Sequence, residues 1–243
     1  MKKLLKWLAL ILATVLLVGF LGIYIWSQQT YGPSDELTAL VDVTSIVDDN
    51  EDVVIYPEGT VKAGIVLYPG AKVENAAYSY YGQQLAAAGY AVFIPKLRLN
   101  FAIVDQQHAQ KIIEANKEIK DWYVGGHSLG GVAAASFAKD AEYVKGLILL
   151  ASYPSGNADL ADSSLHVLSL FGSNDGLTEI ADIEASKKLL PTSTHYVEIQ
   201  GGNHAQFGFY GQQKGDLLSE ISLLDQQQKM VEKTIDWLSQ HGK

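Results

Sequence analysis

Gly126-His127-Ser128-Leu129-Gly130 places one serine between glycines two residues before and two after it, immediately past a short apolar run. A serine hydroxyl is a poor nucleophile until a base takes its proton, and that base must itself be oriented by a carboxylate. Both partners follow in the chain. Asp175 lies in Ser173-Asn174-Asp175-Gly176, after the apolar run 165–172, and His204 lies in Gly201-Gly202-Asn203-His204, after the run 195–200. Serine, acid and histidine in that order, each just past a strand-like segment, suit acyl transfer through a covalent acyl intermediate. The chain contains no cysteine, so a thiol nucleophile is excluded.

The glycines have a steric reason. A sharp strand-to-helix turn brings its two arms too close for side chains at positions 126 and 130, and it presents the serine hydroxyl in the open. Free N–H groups at the following helix start favour developing negative charge. An oxyanion also needs a second donor. Leu129 N–H is one candidate. The loop Tyr68-Pro69-Gly70-Ala71-Lys72 supplies the other, Ala71 N–H first and Lys72 N–H as the alternative. The remaining histidines fit the base less well and are expected to be structural or on the surface. His127 sits inside the turn, His166 and His195 fall near strand starts, His108 precedes the turn in a helix, and His241 is in the tail. Asp182 and Glu184, in the helix after Asp175, are expected to be solvated. So is the acidic turn Asp48, Asp49, Glu51, Asp52, which lacks calcium-loop spacing. No metal-ligand spacing, phosphate loop or dinucleotide glycine pattern is present, so no metal and no cofactor are expected.

These loops must be held by a scaffold, and the apolar pattern describes one. Residues 63–69, 90–95, 121–126, 144–152, 165–172 and 195–200 are short apolar or β-branched runs ending in turn residues. Between them lie helical patterns: Tyr78, Tyr81, Leu85 and Ala88 share a face, Ile112 and Ile113 anchor a second helix, and Val231, Ile235 and Leu238 line a third. Strands apolar on both faces imply a mostly parallel sheet covered by helices on each side. Segments 38–47 and 52–57 are expected to add antiparallel edge strands. Only the dozen residues 153–164 separate two of the strands where a helical cap would insert, so no sizeable cap is expected. The pocket should then be shallow, lined by Tyr68, Tyr80, Phe101, Gln206 and Phe207, with Arg98 and Asn100 available to orient a polar substrate. Without an apolar wall, short acyl groups are expected.

Lys2, Lys3 and Lys6 precede Trp7–Trp26, twenty residues without a charge. That length crosses a bilayer core, and the flanking lysines and aromatic residues set the amino end inside. With no A-x-A cleavage site after it, residues 1–26 read as an uncleaved signal anchor, a cleaved signal peptide being the alternative. Residues 27–36 read as a linker and 37–243 as one catalytic domain, outside the cell membrane. Setting aside residues 1–26 removes three lysines and no acid, which takes the net charge from −9 to −12. So acidic a domain argues against nucleic acid as a partner. The expected partners are a small-molecule ester and, through residues 7–26, the membrane. Oligomeric state is not encoded legibly.

From about residue 63 to 240 the chain resembles the α/β-hydrolase superfamily, and within it the dienelactone-hydrolase-like branch of "α/β hydrolase fold-5" proteins. The segments that carry the likeness are "YPGAKVENAAYSYYGQQLAAAGYAVFIPKLRLNFAI", "GGHSLGG", "FGSNDGL" and "GGNHAQFGFYGQQKGD". The resemblance implies a triad of Ser128, Asp175 and His204 and carboxylic-ester hydrolysis. True dienelactone hydrolases carry cysteine at the elbow, so that substrate does not transfer. Peptidases and acyltransferases share the same machinery, and a scaffold that has lost activity would serve as a surface binding protein.

Overall fold

The computed structural model describes residues 2–41, 46–49 and 52–241. Its centre follows from side-chain alternation along strands that are apolar on both faces. Strand β3 (Ala63–Tyr68) is buried throughout. Ile65 and Leu67 pack on one side of it with Tyr81 and Leu85 of helix α3 (Ser79–Ala87) and with Met230, Trp237 and Leu238 of the helix Leu223–His241. Val66 and Tyr68 pack on the other, with Ala109 and Ile112 of helix α4 (His108–Ala115) and Ala133, Ala134 and Phe137 of helix α5 (Leu129–Asp140). Two cores back to back across one sheet make three layers.

Among the described residues the sheet has eight strands in the order β1-β2-β4-β3-β5-β6-β7-β8. The others are β1 (Ile46–Asp49), β2 (Asp52–Ile55), β4 (Tyr90–Ile94), β5 (Trp122–His127), β6 (Val144–Leu150), β7 (His166–Gly172) and β8 (His195–Ile199). β1 and β2 form an antiparallel edge, and all pairings from β4 to β8 are parallel. The expected edge strand at 38–47 is displaced. Asp35–Thr38 form a short helix, α2, whose capping turn runs into residues 39–40, and pairing begins only at Ile46, residues 42–45 lying outside those described. Acidic Asp35 and Glu36 in a first turn favour that local helix over an extended edge.

Residues 151–165, between β6 and β7, contain turns but no helix or strand, so no cap rises there. The segment folds down onto the domain instead: Ala158 and Leu160 are buried, and Leu160 N–H donates to Leu189 C=O at 2.9 Å. The first helix, α1 (Lys2–Ser27), is exposed from end to end except for Ser27, which is fully buried. The residues after it lie on the domain, with Tyr31 N–H donating to Lys72 C=O at 2.7 Å and Ser34 N–H to Phe209 C=O at 2.7 Å.

Candidate active site

Ser128 stands at the carboxyl end of β5, in mid-sheet, with φ 52° and ψ −124°. That backbone is strained for a residue with a side chain and is held by its surroundings. Its N–H donates to Leu150 C=O at 2.9 Å, and its C=O accepts from Gly131 N–H at 3.0 Å and from Ser152 Oγ at 2.6 Å. The flanking glycines are required. A methyl group on Gly126 would come within 2.3 Å of the Gly130 carbonyl carbon, and one on Gly130 within 2.2 Å of Tyr68 O. All five non-glycine residues with positive φ among those described sit in loops at this end of the sheet: Lys72, Leu99, Asn100, Ser128 and Ala151. Strain concentrated in one loop cluster marks a place where geometry matters more than stability.

Asp175 leaves β7 and His204 leaves β8, and the two side chains meet in a buried pair with His204 Nδ1 2.8 Å from Asp175 Oδ2. Asp175 Oδ1 meanwhile accepts the N–H groups of Leu177 at 2.8 Å and Thr178 at 2.6 Å. The carboxylate is thereby fixed in rotation. It orders the imidazole with its proton on Nδ1 and its lone pair on Nε2. His204 Nε2 is buried and has no hydrogen-bond partner among the described residues, Ser128 Oγ included. Such bonds commonly close only when substrate is bound.

Asp216 braces both loops, a role that sequence reasoning missed. Its Oδ1 accepts Gly176 N–H at 3.1 Å, His204 N–H at 3.3 Å and Leu217 N–H at 2.9 Å, and its Oδ2 accepts Ala205 N–H at 2.8 Å. No local pattern advertises it, because its partners are backbone groups of distant loops.

The backbone donors near Ser128 sort themselves by what they already bind. Gly70 N–H donates to Tyr78 Oη at 3.0 Å, and Lys72 N–H donates to Asn100 C=O at 2.8 Å. Ala71 N–H, between them, and Leu129 N–H, at the first position of α5, have no acceptor among the described residues. Tyr78 Oη in turn lies 2.8 Å from His127 Nδ1. Because the tyrosine oxygen accepts from Gly70, its proton goes to His127 Nδ1, which leaves His127 neutral with its hydrogen on Nε2. Burial, and then the neighbouring His204, hold the His127 imidazole well below its ordinary pKa, which agrees. Its ring sits 4.6 Å from that of His204 and is stacked on Phe207 at 5.9 Å. Tyr78, visible in the sequence only as part of a helical apolar face, therefore joins the elbow to the loop beside it.

The residues expected to line a pocket have diverse placements. Tyr68 is fully enclosed, its hydroxyl donating to Gln106 C=O and accepting Ala109 N–H. Phe207 is fully buried beneath His127, and Tyr80 packs against Phe209 at 5.2 Å. Gln206 follows His204 and is partly exposed, its backbone N–H held by Asn203 Oδ1 at 3.1 Å. Arg98 is an exposed side chain paired to Asp105 at 2.8 Å. Asn100 and Phe101 are turned toward α1: Asn100 Nδ2 donates to Ser27 C=O at 3.0 Å, and Phe101 stacks on Trp26 at 5.5 Å. Asp52, expected in a solvated turn, is instead mostly buried; it accepts Lys96 N–H at 2.7 Å and contacts His108 Nε2 at 3.0 Å. His108 Nδ1 is also 3.0 Å from Asp105.

Similar proteins agree with this arrangement at the level of fold. Comparison with curated protein sequences gives no match. Among solved structures, the chain is similar to the esterase domain of a Rhodothermus marinus protein (14% identity, covering 79% of this chain and 93% of that one, TM-score 0.61). It is also similar to an alpha-beta serine hydrolase homologue from Coxiella burnetii (15% identity, 76% and 89%, TM-score 0.58). A third is Est1E from Butyrivibrio proteoclasticus (14% identity, 80% and 98%, TM-score 0.59). A profile of the Alpha/beta hydrolase family matches residues 64–228, which is more than half of the chain and spans the elbow, the Asp175 loop and the His204 loop. The protein belongs to the alpha/beta hydrolase family.

Proposed function

We propose that the protein is a serine hydrolase of carboxylic esters with small acyl groups, held at the cell membrane by α1 with the catalytic domain outside. The observation that carries this reading is the buried Asp175–His204 pair, whose Nε2 lone pair is unengaged, beside a strained serine flanked by two unengaged N–H donors.

In the reaction Ser128 Oγ attacks the ester carbonyl carbon while His204 Nε2 takes its proton. The carbonyl oxygen becomes an oxyanion that accepts hydrogen bonds from Ala71 and Leu129 N–H. His204 then gives that proton to the departing alcohol, leaving an acyl-serine. Water, deprotonated by His204, attacks the acyl carbon and releases the acid and the free serine. Asp175 stays ionised throughout and stabilises the imidazolium.

The test is fluorophosphonate labelling together with hydrolysis of p-nitrophenyl esters from acetate to laurate, below micellar concentrations. Wild type is expected to label and turn over. Ser128→Ala is expected to lose labelling and about a million-fold in rate while keeping its fold. With no cap to wall an acyl chain, kcat/KM is expected to be flat or falling beyond about six carbons, although each methylene buried in an apolar tunnel would add about 0.8 kcal/mol. Retention of a tenth of the wild-type rate in Ser128→Ala would remove the assignment, and a steady rise to laurate would reveal a tunnel. Protease added to intact cells is expected to digest the domain, whereas protection until lysis would place it inside.

A further inference from the structure

The outer end of α1 does not hang from a free tether; it is built into the loops of the active site. Ser27 is fully buried, and its C=O accepts Asn100 Nδ2 at 3.0 Å. The Trp26 ring stacks on Phe101 at 5.5 Å and carries Lys72 Nζ over its face at 4.5 Å. Lys72 is the residue after Ala71, and its N–H is bonded to Asn100 C=O. Successive Cα atoms are about 3.8 Å apart, so Ala71 lies on the order of 10 Å from the Trp26 ring. Trp7 to Trp26 spans about 30 Å as a helix, the thickness of a bilayer hydrocarbon core, and tryptophan favours the headgroup boundary. A membrane spanned by α1 therefore ends on the order of 10–15 Å from the proposed oxyanion donor.

A second observation is independent of the helix. Exposed large apolar side chains gather at the same end of the domain. Ile103 and Val104 lie in the loop after β4, Leu177 and Ile180 in the segment after β7, and Leu217 and Leu218 beside the Asp216 brace. Leu218 is 73% exposed and Leu217 55%. A single exposed leucine is ordinary on a surface, but six exposed apolar side chains at one end of the domain suit a membrane or partner surface. The opposite end, at the amino ends of the strands, exposes Lys62, Glu118, Lys120, Glu142 and Lys145, with Tyr56 and Tyr143 as its large rings.

The geometry points to a catalytic mouth that rests on the bilayer surface, its apolar rim in the headgroup region, and that takes its ester from a membrane amphiphile. The substrate part rests on the serine-hydrolase reading above and limits its small-acyl preference to esters in free solution; the orientation does not rest on it. The missing cap then acquires a physical counterpart. A capless protein offers no apolar wall to a long acyl chain in solution, but at a bilayer the chain stays in the lipid and only the ester at headgroup depth needs to reach Ser128. The net charge of the domain opposes approach to an anionic surface. That repulsion acts on free protein; a mouth bonded to the anchor itself is at the surface by construction, with Lys72 at the point of contact.

The chain has no cysteine, so an introduced one labels uniquely. The full-length protein carrying Leu218→Cys or Glu118→Cys, each with an environment-sensitive fluorophore, is reconstituted in phosphatidylethanolamine–phosphatidylglycerol vesicles containing an acyl-chain nitroxide. Several-fold stronger quenching at 218 than at 118 is expected; equal quenching would overturn the orientation. In the same vesicles a fluorogenic ester lipid is compared with soluble p-nitrophenyl butyrate. The substitution Leu218→Asp, at a side chain outside the Asp216 brace, is expected to lower lipid-ester hydrolysis several-fold and leave butyrate hydrolysis unchanged. Equal effects on both substrates would overturn the lipid-borne substrate. Quenching at 218 with neither ester cleaved by wild type would overturn the hydrolase reading and the lipid substrate together, and keep the orientation.

Discussion

The two halves of the site are secured in different ways. The histidine half closes on itself: Asp175, His204 and Asp216 come from neighbouring loops after β7 and β8, and each carboxylate oxygen has a fixed donor. The serine half is secured from far away in the chain. Ser128 rests on glycines within the elbow, but the donor loop 69–72 is held by Tyr78, whose hydroxyl is also bonded to His127, and by Asn100, which is itself bonded to Ser27. The histidine half is prepared chemically, by a rigid carboxylate. The serine half is prepared mechanically, by strain that distant contacts keep from relaxing. Substitutions in the two should therefore fail differently.

Between the supports of the two halves, Asp175→Asn should show the larger effect and strike only the chemistry. Because Oδ1 accepts two backbone N–H groups, the asparagine oxygen takes that position and its NH2 faces His204 Nδ1. Two donors then oppose each other, so the imidazole moves its proton to Nε2 and can no longer accept from serine. A fall in kcat of about 10⁴-fold with nearly unchanged stability is expected, by analogy with other triads. A fall below tenfold would mean that Asp175 does not orient the base.

Tyr78→Phe attacks the other half. It strands Gly70 N–H and His127 Nδ1, both buried, and each unsatisfied group costs about 1–3 kcal/mol. The adjacent Ala71 donor is loosened with them. Since an oxyanion forms only in the transition state, kcat should fall about tenfold while KM barely moves. The fold should lose stability in the same variant, unlike Asp175→Asn. If KM rose and kcat held, Tyr78 would be packing under the substrate rather than positioning a donor. Burial pushes the Tyr78 hydroxyl well above its ordinary pKa, so no change in its protonation confuses the comparison near neutral pH.

The same division explains what the sequence made legible. Six of the eight strands were apolar runs with turn residues at their ends, a signal of local period and composition. The elbow glycines, Asp175 and His204 were visible because each sits at a fixed offset from such a run. Asp216 was not, and Tyr78 and Asn100 were visible only in other roles, on a helix face and beside a substrate. Asn100 Nδ2 meets Ser27 across 73 residues, and Tyr78 meets His127 across 49. A single polar side chain bonded over such separations leaves no periodicity behind. The antiparallel edge expected at 38–47 and 52–57 is present, but its first strand is displaced toward β2, because acidic residues at 35 and 36 suit a helix turn.

The smallest effect should come from the support behind the serine half. His108 bridges Asp52, at the start of β2, and Asp105, in the loop that also contains Asn100; Arg98 pairs with the same Asp105. Hydrogen bonds that His108 donates to Asp52 and Asp105 raise its pKa, outweighing its burial. Burial alone would raise Asp105, but hydrogen bonds from His108 and Arg98 hold it below its usual range. A raised histidine contributes stability that is complete below its unfolded pKa of about 6.5 and lost as pH climbs through the higher folded value. A lowered aspartate contributes above its unfolded value of about 3.9 and loses that contribution as pH falls through the lower folded one. The network is therefore strongest between about pH 4 and pH 6.5. With Arg98 exposed and His108 near the surface, screening limits the pair to about 1 kcal/mol. His108→Gln should lower Tm by about 2–4 °C at pH 5.5, for a chain of this size, and by less at pH 8.5. Activity on soluble esters should change little, because the loop retains its Asn100 bonds to Lys72 and Ser27. A Tm difference that grew from pH 5.5 to pH 8.5 would show that His108 acts as a neutral hydrogen-bond partner and not as a cation between two carboxylates.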